Sequence, residues 1–423
     1  MASSGNNCNF IGRQAGYQAS NASDSNMLGQ QAGYQASGAY YSNFLCLQAG
    51  FQAPNASYSN FLGMYAGYQA ANANQSNFFG REAGYQASGA NDSSFQGYQA
   101  GYQATGAFNS NFLGREAGYQ ASGASDSNFQ GYRAGYQATG ANYSNFLGNQ
   151  AGNAATNAYY SNFLGRSAGN AAINAYYSNF LGYYAGHLAN AANYSNFLGP
   201  LAGYQAASAN NSNFLGYQAG HTATSGNNSN FLGYQAGYQA TSANNSNFFG
   251  PSAGYQASGA SYSSFIGYRA GYQAPNANNS IFIGRNAGAN DTVNNASNKS
   301  SILIGNYTSA SGYSDSIAIG QGAANSASQQ LNIGNVLYAT SINNAITPSS
   351  TPVLGKVGVR VENPQYTLDV NGSGNFSSGI YVSGNSTFYN NLSISGHLSA
   401  TSKAFKINNP QKPGKYLIHG ASE

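Results

Sequence analysis

The sequence predicts an all-β protein, a repetitive parallel β-solenoid or β-roll of 17-residue rungs followed by a short β-rich C-terminal region. Three observations carry that expectation. A phrase such as SNFLGYQAGYQATSANN, residues 229 to 245, recurs in phase from Phe10 to Phe282, making 17 copies without an insertion. A fixed period of this length marks a stacked repeat architecture. Charge is scarce, with 14 basic and 10 acidic side chains in 423 residues, whereas Gly (55) and Tyr (36) are abundant and Trp is absent. Such a profile suits tight turns and short strands better than helices. Lastly, the Phe of each copy and the residue after it are both apolar in most copies, although neighbours along a strand point to opposite faces.

Each copy is numbered here from its Phe as position 0. Phe10, Phe44, Phe61, Phe112, Phe146, Phe214 and Phe231 are expected in the core of the coil, and Met27 is the one departure from Phe at this position. Position 2 is Gly in every copy except at Cys46, and positions 5 and 6 are Ala-Gly in all 17. In the first sixteen copies position 9 is Ala, and position 12 is Ala except at Gly226. Small residues at fixed phases describe a narrow interior with tight corners, each rung lying about 4.8 Å above the last, so that the array would extend roughly 80 Å. Asn precedes the Phe in 14 copies, and stacked Asn side chains are expected to hydrogen-bond as a ladder. The Asn-x-Ser matches at Asn21 and Asn142 are by-products of the same phrase.

Position 1 is Leu, Ile or Phe in 15 copies, with Gln96 and Gln130 as exceptions. Leu45, Leu62, Leu113, Leu147, Leu215 and Leu232 belong to this second apolar row, which the coil's own interior cannot cover. A long open apolar row invites association, and its simplest partner is the same row on identical chains, giving a parallel homo-oligomer with an intertwined homotrimer as the expected state. Charges before residue 289 fall only at positions 3, 4 and 14, which are therefore expected to face water, since an unpaired buried charge is too costly to repeat.

Position 7 carries Tyr17, Tyr34, Phe51, Tyr68, Tyr85 and Tyr102 in successive copies from the start of the array. The tyrosines here are candidate glycan-facing aromatics, since a ring with a polar edge can contact a sugar; the plainer reading is that the rings stack on one another and cover the coil. His187 and His221 fall at the same position and are read as further rings of that stack, without nearby groups at metal-ligand spacing.

Along the chain, the array occupies residues 1–288, shorter rungs residues 289–336, a β connector residues 337–402, and the start of a further C-terminal region residues 403–423. The segment SDSIAIGQGAANSAS, 314 to 328, resembles the head repeat of trimeric autotransporter adhesins, which implies a left-handed parallel β-roll in a three-chain assembly. The segment GKVGVRVENPQYTLDVNGSGNFSSGIYVSGN, 355 to 385, is similar to one common in bacteriophage and virus tail fibres. Val357, Gly358, Pro364, Leu368, Asp369, Val370 and Gly372 fill that pattern's fixed places. The alternation from 379 to 401 reads as short strands with Gly and Asn turns. KAFKINNPQKPGKYLIHGASE, 403 to 423, looks like the beginning of the C-terminal part of such fibres, which often carries a self-cleaving chaperone; on this resemblance the chain is expected to be a fragment or a processed product.

No catalytic residue, cofactor or metal site is expected from the sequence. The array offers repetition where an enzyme needs convergent unlike groups, and its glycines lack the Gly-Lys-Ser/Thr of a phosphate loop. There is no Lys before Lys299, so the footprint of nucleic-acid binding is missing, and no apolar run reaches the roughly 18 residues of a membrane span. Residues 1 to 30 show no basic and apolar leader, and Cys8 and Cys46 stand at different positions of the repeat, which disfavours a disulfide between them. The reading that joins these features is the shaft of a phage or virus tail fibre, on the virion tail or an extracellular surface, whose partners are identical chains and a host cell-surface glycan or protein receptor. A bacterial trimeric adhesin is the alternative, with a self-assembling filament or an ice-binding solenoid behind it; the last would want a regular Thr row, which is absent.

Overall fold

In the computed structural model the described residues are 6–291, 300–342 and 355–377, together with the backbone of two strands within 403–421. They are all-β, without a helix, and the 17-residue rungs wind a parallel β-solenoid. Contacts divide the chain into two units, Met1–Gly372 and Ser373–Glu423. In the second, Lys403–Asn408 and Tyr416–Ala421 form an antiparallel pair. The strands expected between 379 and 401 lie outside the described residues.

In the first unit every copy contributes one three-residue strand, from Asn9–Ile11 through Ile281–Ile283. Each pairs in parallel with the next, and the register is the repeat itself: Asn162 faces Asn179, Phe163 faces Phe180, Leu164 faces Leu181. The shorter rungs continue the same sheet, Phe282 facing Leu303 and Leu303 facing Ala318. Antiparallel pairing begins only at Leu337–Thr340, which meets Leu331–Ile333 and Lys356–Val359. Val357, Gly358 and Val359 then pair in parallel with Leu368, Asp369 and Val370.

The interior is filled by position 0 and by the Ala of positions 5, 9 and 12, most of them completely buried. Phe44, Phe61, Phe112, Phe146, Phe214 and Phe231 are all fully buried, whereas Phe10, on the first described rung, is 38% exposed because only one side of it is covered. Consecutive rings stack at 4.7–4.8 Å over most of the column, for example Phe146 on Phe163 at 4.8 Å. Gly at position 6 makes room for them. It adopts φ near +60°, and a methyl group on Gly186 would enter the Phe180 ring.

Position 15 is a buried Ser in the first sixteen copies, and Cys8 holds the equivalent place ahead of Phe10. Its hydroxyl is fully used. Ser195 Oγ donates to Ala209 O at 2.6 Å and accepts from the Ser212 amide at 3.1 Å. A buried hydroxyl without partners would cost about 1–3 kcal/mol, so a hydroxyl at this depth requires the bonds it makes.

The rest of the rung is turn, and its turns are left-handed. In the copy that starts at Phe180, Gly182, Tyr184, Gly186, Leu188, Ala191 and Tyr194 all have φ between +52° and +137°. Non-Gly residues pay about 1–2 kcal/mol for this conformation. In return the amides of positions 2, 4, 8 and 14 all donate to the preceding rung, as Gly182 does to Leu164 O, Tyr184 to Arg166 O, Leu188 to Asn170 O and Tyr194 to Tyr176 O. The inter-rung bonding therefore extends far beyond the three residues of the strand.

Cys46 is the exception at position 2, with φ of 108° where its counterparts are Gly at φ from +127° to +142° within the array. Cys46→Gly is expected to stabilise the chain by about 1 kcal/mol or more, since it removes a side chain from a conformation that only Gly takes at ease. A higher midpoint in denaturant with an unchanged slope is the expected result; a lower midpoint would mean that the thiol makes a compensating contact.

Candidate functional site

The surface is organised as columns, since whatever side chain leaves one rung meets its equivalent on the next. The expected Asn ladder runs at position −1: Asn145 donates to Asn162, Asn162 to Asn179 and Asn179 to Asn196, each at 2.8 Å. Two Gln ladders escaped the sequence reading. At position 8 Gln52 donates to Gln35 at 2.7 Å, Gln69 to Gln52 at 2.9 Å and Gln86 to Gln69 at 2.9 Å, and at position 4 Gln31 donates to Gln14 at 2.9 Å. Their phase was visible in the sequence; what was missing was the left-handed backbone that turns both positions toward the same column on the rungs above and below.

The rings of position 7 stack face to face. Tyr17 meets Tyr34 at 5.2 Å, and Tyr68, Tyr85 and Tyr102 follow at 4.9 Å with nearly parallel planes. This column runs from Tyr17 to Tyr136, is interrupted by Asn153 and Asn170, and resumes at His187, which lies 5.1 Å from Tyr204. It ends at Tyr272, 4.9 Å from Tyr255. Since each inner ring spends both faces on its neighbours, only edges and hydroxyls are offered to a ligand; an open ring face exists where a column stops. Tyr68, Tyr85 and Tyr102 present such edges to a cleft of about 430 Å³ that Gln48, Tyr65 and Glu82 complete. Burial, followed by neighbouring tyrosines, holds the Tyr102 and Tyr255 hydroxyls above their ordinary pKa, so these edges are neutral donors and acceptors.

Burial also pushes His187 and His221 below the usual imidazole range. A His whose folded pKa is depressed binds fewer protons folded than unfolded, so the stability it carries at neutral pH is lost as pH falls through the unfolded value near 6.5. The unfolding temperature is expected to drop between pH 7 and pH 5, and the double variant His187→Tyr/His221→Tyr to flatten that drop. An unchanged pH profile in the variant would assign the acid sensitivity elsewhere.

Charges follow the columns, with one correction. Glu116 does not face water: it is buried, and its carboxylate accepts from Arg133 Nε at 2.6 Å and Arg115 Nε at 3.1 Å. The expectation failed because it considered an unpaired charge, and here the next rung supplies the partner. Glu82 is likewise drawn in, accepting from Arg81 at 3.0 Å and Gln99 at 2.7 Å. At position 3, Arg and Tyr alternate through Arg81, Tyr98, Arg115 and Tyr132, with each guanidinium 5.7–5.8 Å from a tyrosine ring centroid. Position 4 carries Arg only twice, and both times the column of position 7 has its last ring in that copy: Arg133 sits 5.0 Å from the Tyr136 centroid and Arg269 4.9 Å from that of Tyr272.

The second apolar row lies on the outer side of the strands beside the Asn ladder. Leu45, Leu113, Leu147, Leu215 and Leu232 are half-buried by their own neighbours in the row, and Leu62 is 39% exposed. Gln96 and Gln130 interrupt the row as exposed residues. Cys8 and Cys46 are free thiols. No group of three His, Cys, Asp or Glu that could hold a metal ion occurs among the described residues, nor does a helix long and apolar enough to cross a membrane. Comparison with protein-family models, curated proteins and solved structures gave no match to this chain.

Proposed function

We propose that this chain is the structural shaft of a homotrimeric phage or virus tail fibre, working on the virion tail to mediate attachment to a host cell-surface glycan or protein receptor, and that it is not an enzyme. The observation that carries this reading is the uninterrupted phasing of its 17 rungs. A solenoid whose backbone amides and Asn, Gln and Ser side chains bond repeatedly from one rung to the next is a rod-forming device, of a kind typical of structural proteins. The half-covered Leu row beside the Asn ladder supports association with identical chains: it is apolar, continuous over many rungs, and matched in spacing only by another copy of itself.

The mass of the purified chain in solution, by light scattering coupled to size exclusion, is expected to be three times 43.8 kDa. Replacing Leu147, Leu164 and Leu181 together by Lys is expected to reduce that mass to one chain while leaving the β circular dichroism intact. A wild-type monomer would overturn the trimer, and with it the fibre reading in its present form.

A further inference from the structure

The end of the position 7 column at Tyr272 is a slot with a missing ring. Where the next copy should bring an aromatic it has Ala289, and the rung after that, whose Leu303 registers with Ala318 only fifteen residues on, has Ala310 at position 7 and carries its ring, Tyr307, at position 4. Tyr272 therefore stacks on Tyr255 on one side and opens on the other into a cleft of about 310 Å³, completed by Arg269, Asn286, Asn290, Tyr307, Thr308 and Ser309 among others. That volume is at the low end of the roughly 300–1,000 Å³ of small-molecule sites.

The chain contains its own control for what this site lacks. At the other column end, Arg133 lies against Tyr136 in the same way, and its guanidinium is paired with the Glu116 carboxylate of the preceding rung at 2.6 Å. At Arg269 the preceding rung offers Ser252 in place of that Glu, and no carboxylate pairs with Arg269 among the described residues. The nearest acid in sequence, Asp291, is turned inward, accepting from the Ser309 hydroxyl at 3.2 Å and the Gly312 amide at 2.9 Å, and only 4% of it is exposed. Arg285 adds a second guanidinium close by, 5.8 Å from the Tyr307 and Tyr268 rings and likewise without an acid.

We infer that this cleft binds a carboxylate-bearing sugar residue, with the carboxylate on the Arg269 guanidinium and the pyranose in the slot of the missing ring, within reach of the Asn286 and Asn290 amides. A guanidinium held against an aromatic ring is pre-organised for a planar anion. A free carboxylate would leave most of the cleft empty, whereas a hexuronate carries hydroxyls for the amides and an apolar face for Tyr272. The site stands whether or not the rod is a virion fibre.

The full chain is titrated by calorimetry with D-glucuronate, D-glucose and acetate. Saturable glucuronate binding at least tenfold tighter than either of the others is expected, falling at least tenfold in Arg269→Gln and persisting in Arg166→Gln, another exposed arginine of the array. Ala289→Tyr, which extends the column into the slot, is expected to abolish binding by a second route. Each variant is checked for an unchanged unfolding midpoint. Absence of saturable glucuronate binding, equal binding of acetate, or indifference to both site variants would overturn the inference.

Discussion

Gly182→Val is expected to destabilise the middle of the array by about 3–5 kcal/mol, one of the largest effects available to a single substitution. Two independent terms add. The backbone there has φ of +137°, which a β-branched residue adopts only under strain, and a Cβ on Gly182 would sit 2.6 Å from the carbonyl oxygen of Gly199 on the next rung. That carbonyl cannot retreat without separating two rungs that the bond from the Gly199 amide to Leu181 O ties together. Because each rung touches only its neighbours, the damage should remain local. Hydrogen exchange read by mass spectrometry should show lost protection across residues 162 to 216, with the outer rungs unaffected. Uniform loss over the whole array would mean that the rungs unfold as one cooperative unit, and unchanged exchange would mean that the close approach can relax.

The second large effect is expected from Phe163→Ala. The ring is fully buried and stacked at 4.8 Å on Phe146 and Phe180, so its removal should cost about 3–5 kcal/mol through the cavity and the two lost stacking contacts. Phe163→Met is expected to cost much less, since Met27 already fills the same position in a complete rung and a flexible thioether adapts to an irregular gap. The order of unfolding midpoints, wild type above Phe163→Met above Phe163→Ala, can be read from one denaturant series. A Met variant as poor as the Ala variant would show that ring-on-ring stacking, rather than filled volume, holds the column.

Much of this molecule could be read from residue phase alone. The invariant Ala-Gly of positions 5 and 6 announced a tight interior, and the Phe of position 0 is the residue that needs it. The Asn ladder was equally legible, because a short amide repeated on a strand has its own copy as its nearest partner. The roles of Ser195 and its equivalents were not read in advance: a small polar residue before the Asn looks like any turn serine until the carbonyl of the next rung is seen beside it. Glu116 was misjudged for a related reason, since its partner Arg133 is seventeen residues away and stands opposite it only once the coil is closed. The cleft at Tyr272 left two marks in the sequence, an Ala at position 7 and an Arg at position 4. Their meaning depends on knowing that position 7 is a stacked column with ends.

The alternation of Arg and Tyr at position 3 also constrains how such a gene can grow. Duplicating one copy that carries Arg115 would set two guanidiniums on adjacent rungs, about 4.8 Å apart, well inside the screening length of physiological salt. Duplicating a pair of copies, one with Arg and one with Tyr, keeps them about 9.6 Å apart, close to the screening length of physiological salt, with a ring between them to accept both. Residues 76 to 143 have the form of that event, REAGYQASGA alternating with YQAGYQATGA and YRAGYQATGA. In this stretch the inheritable unit is thirty-four residues, twice the unit that the backbone recognises.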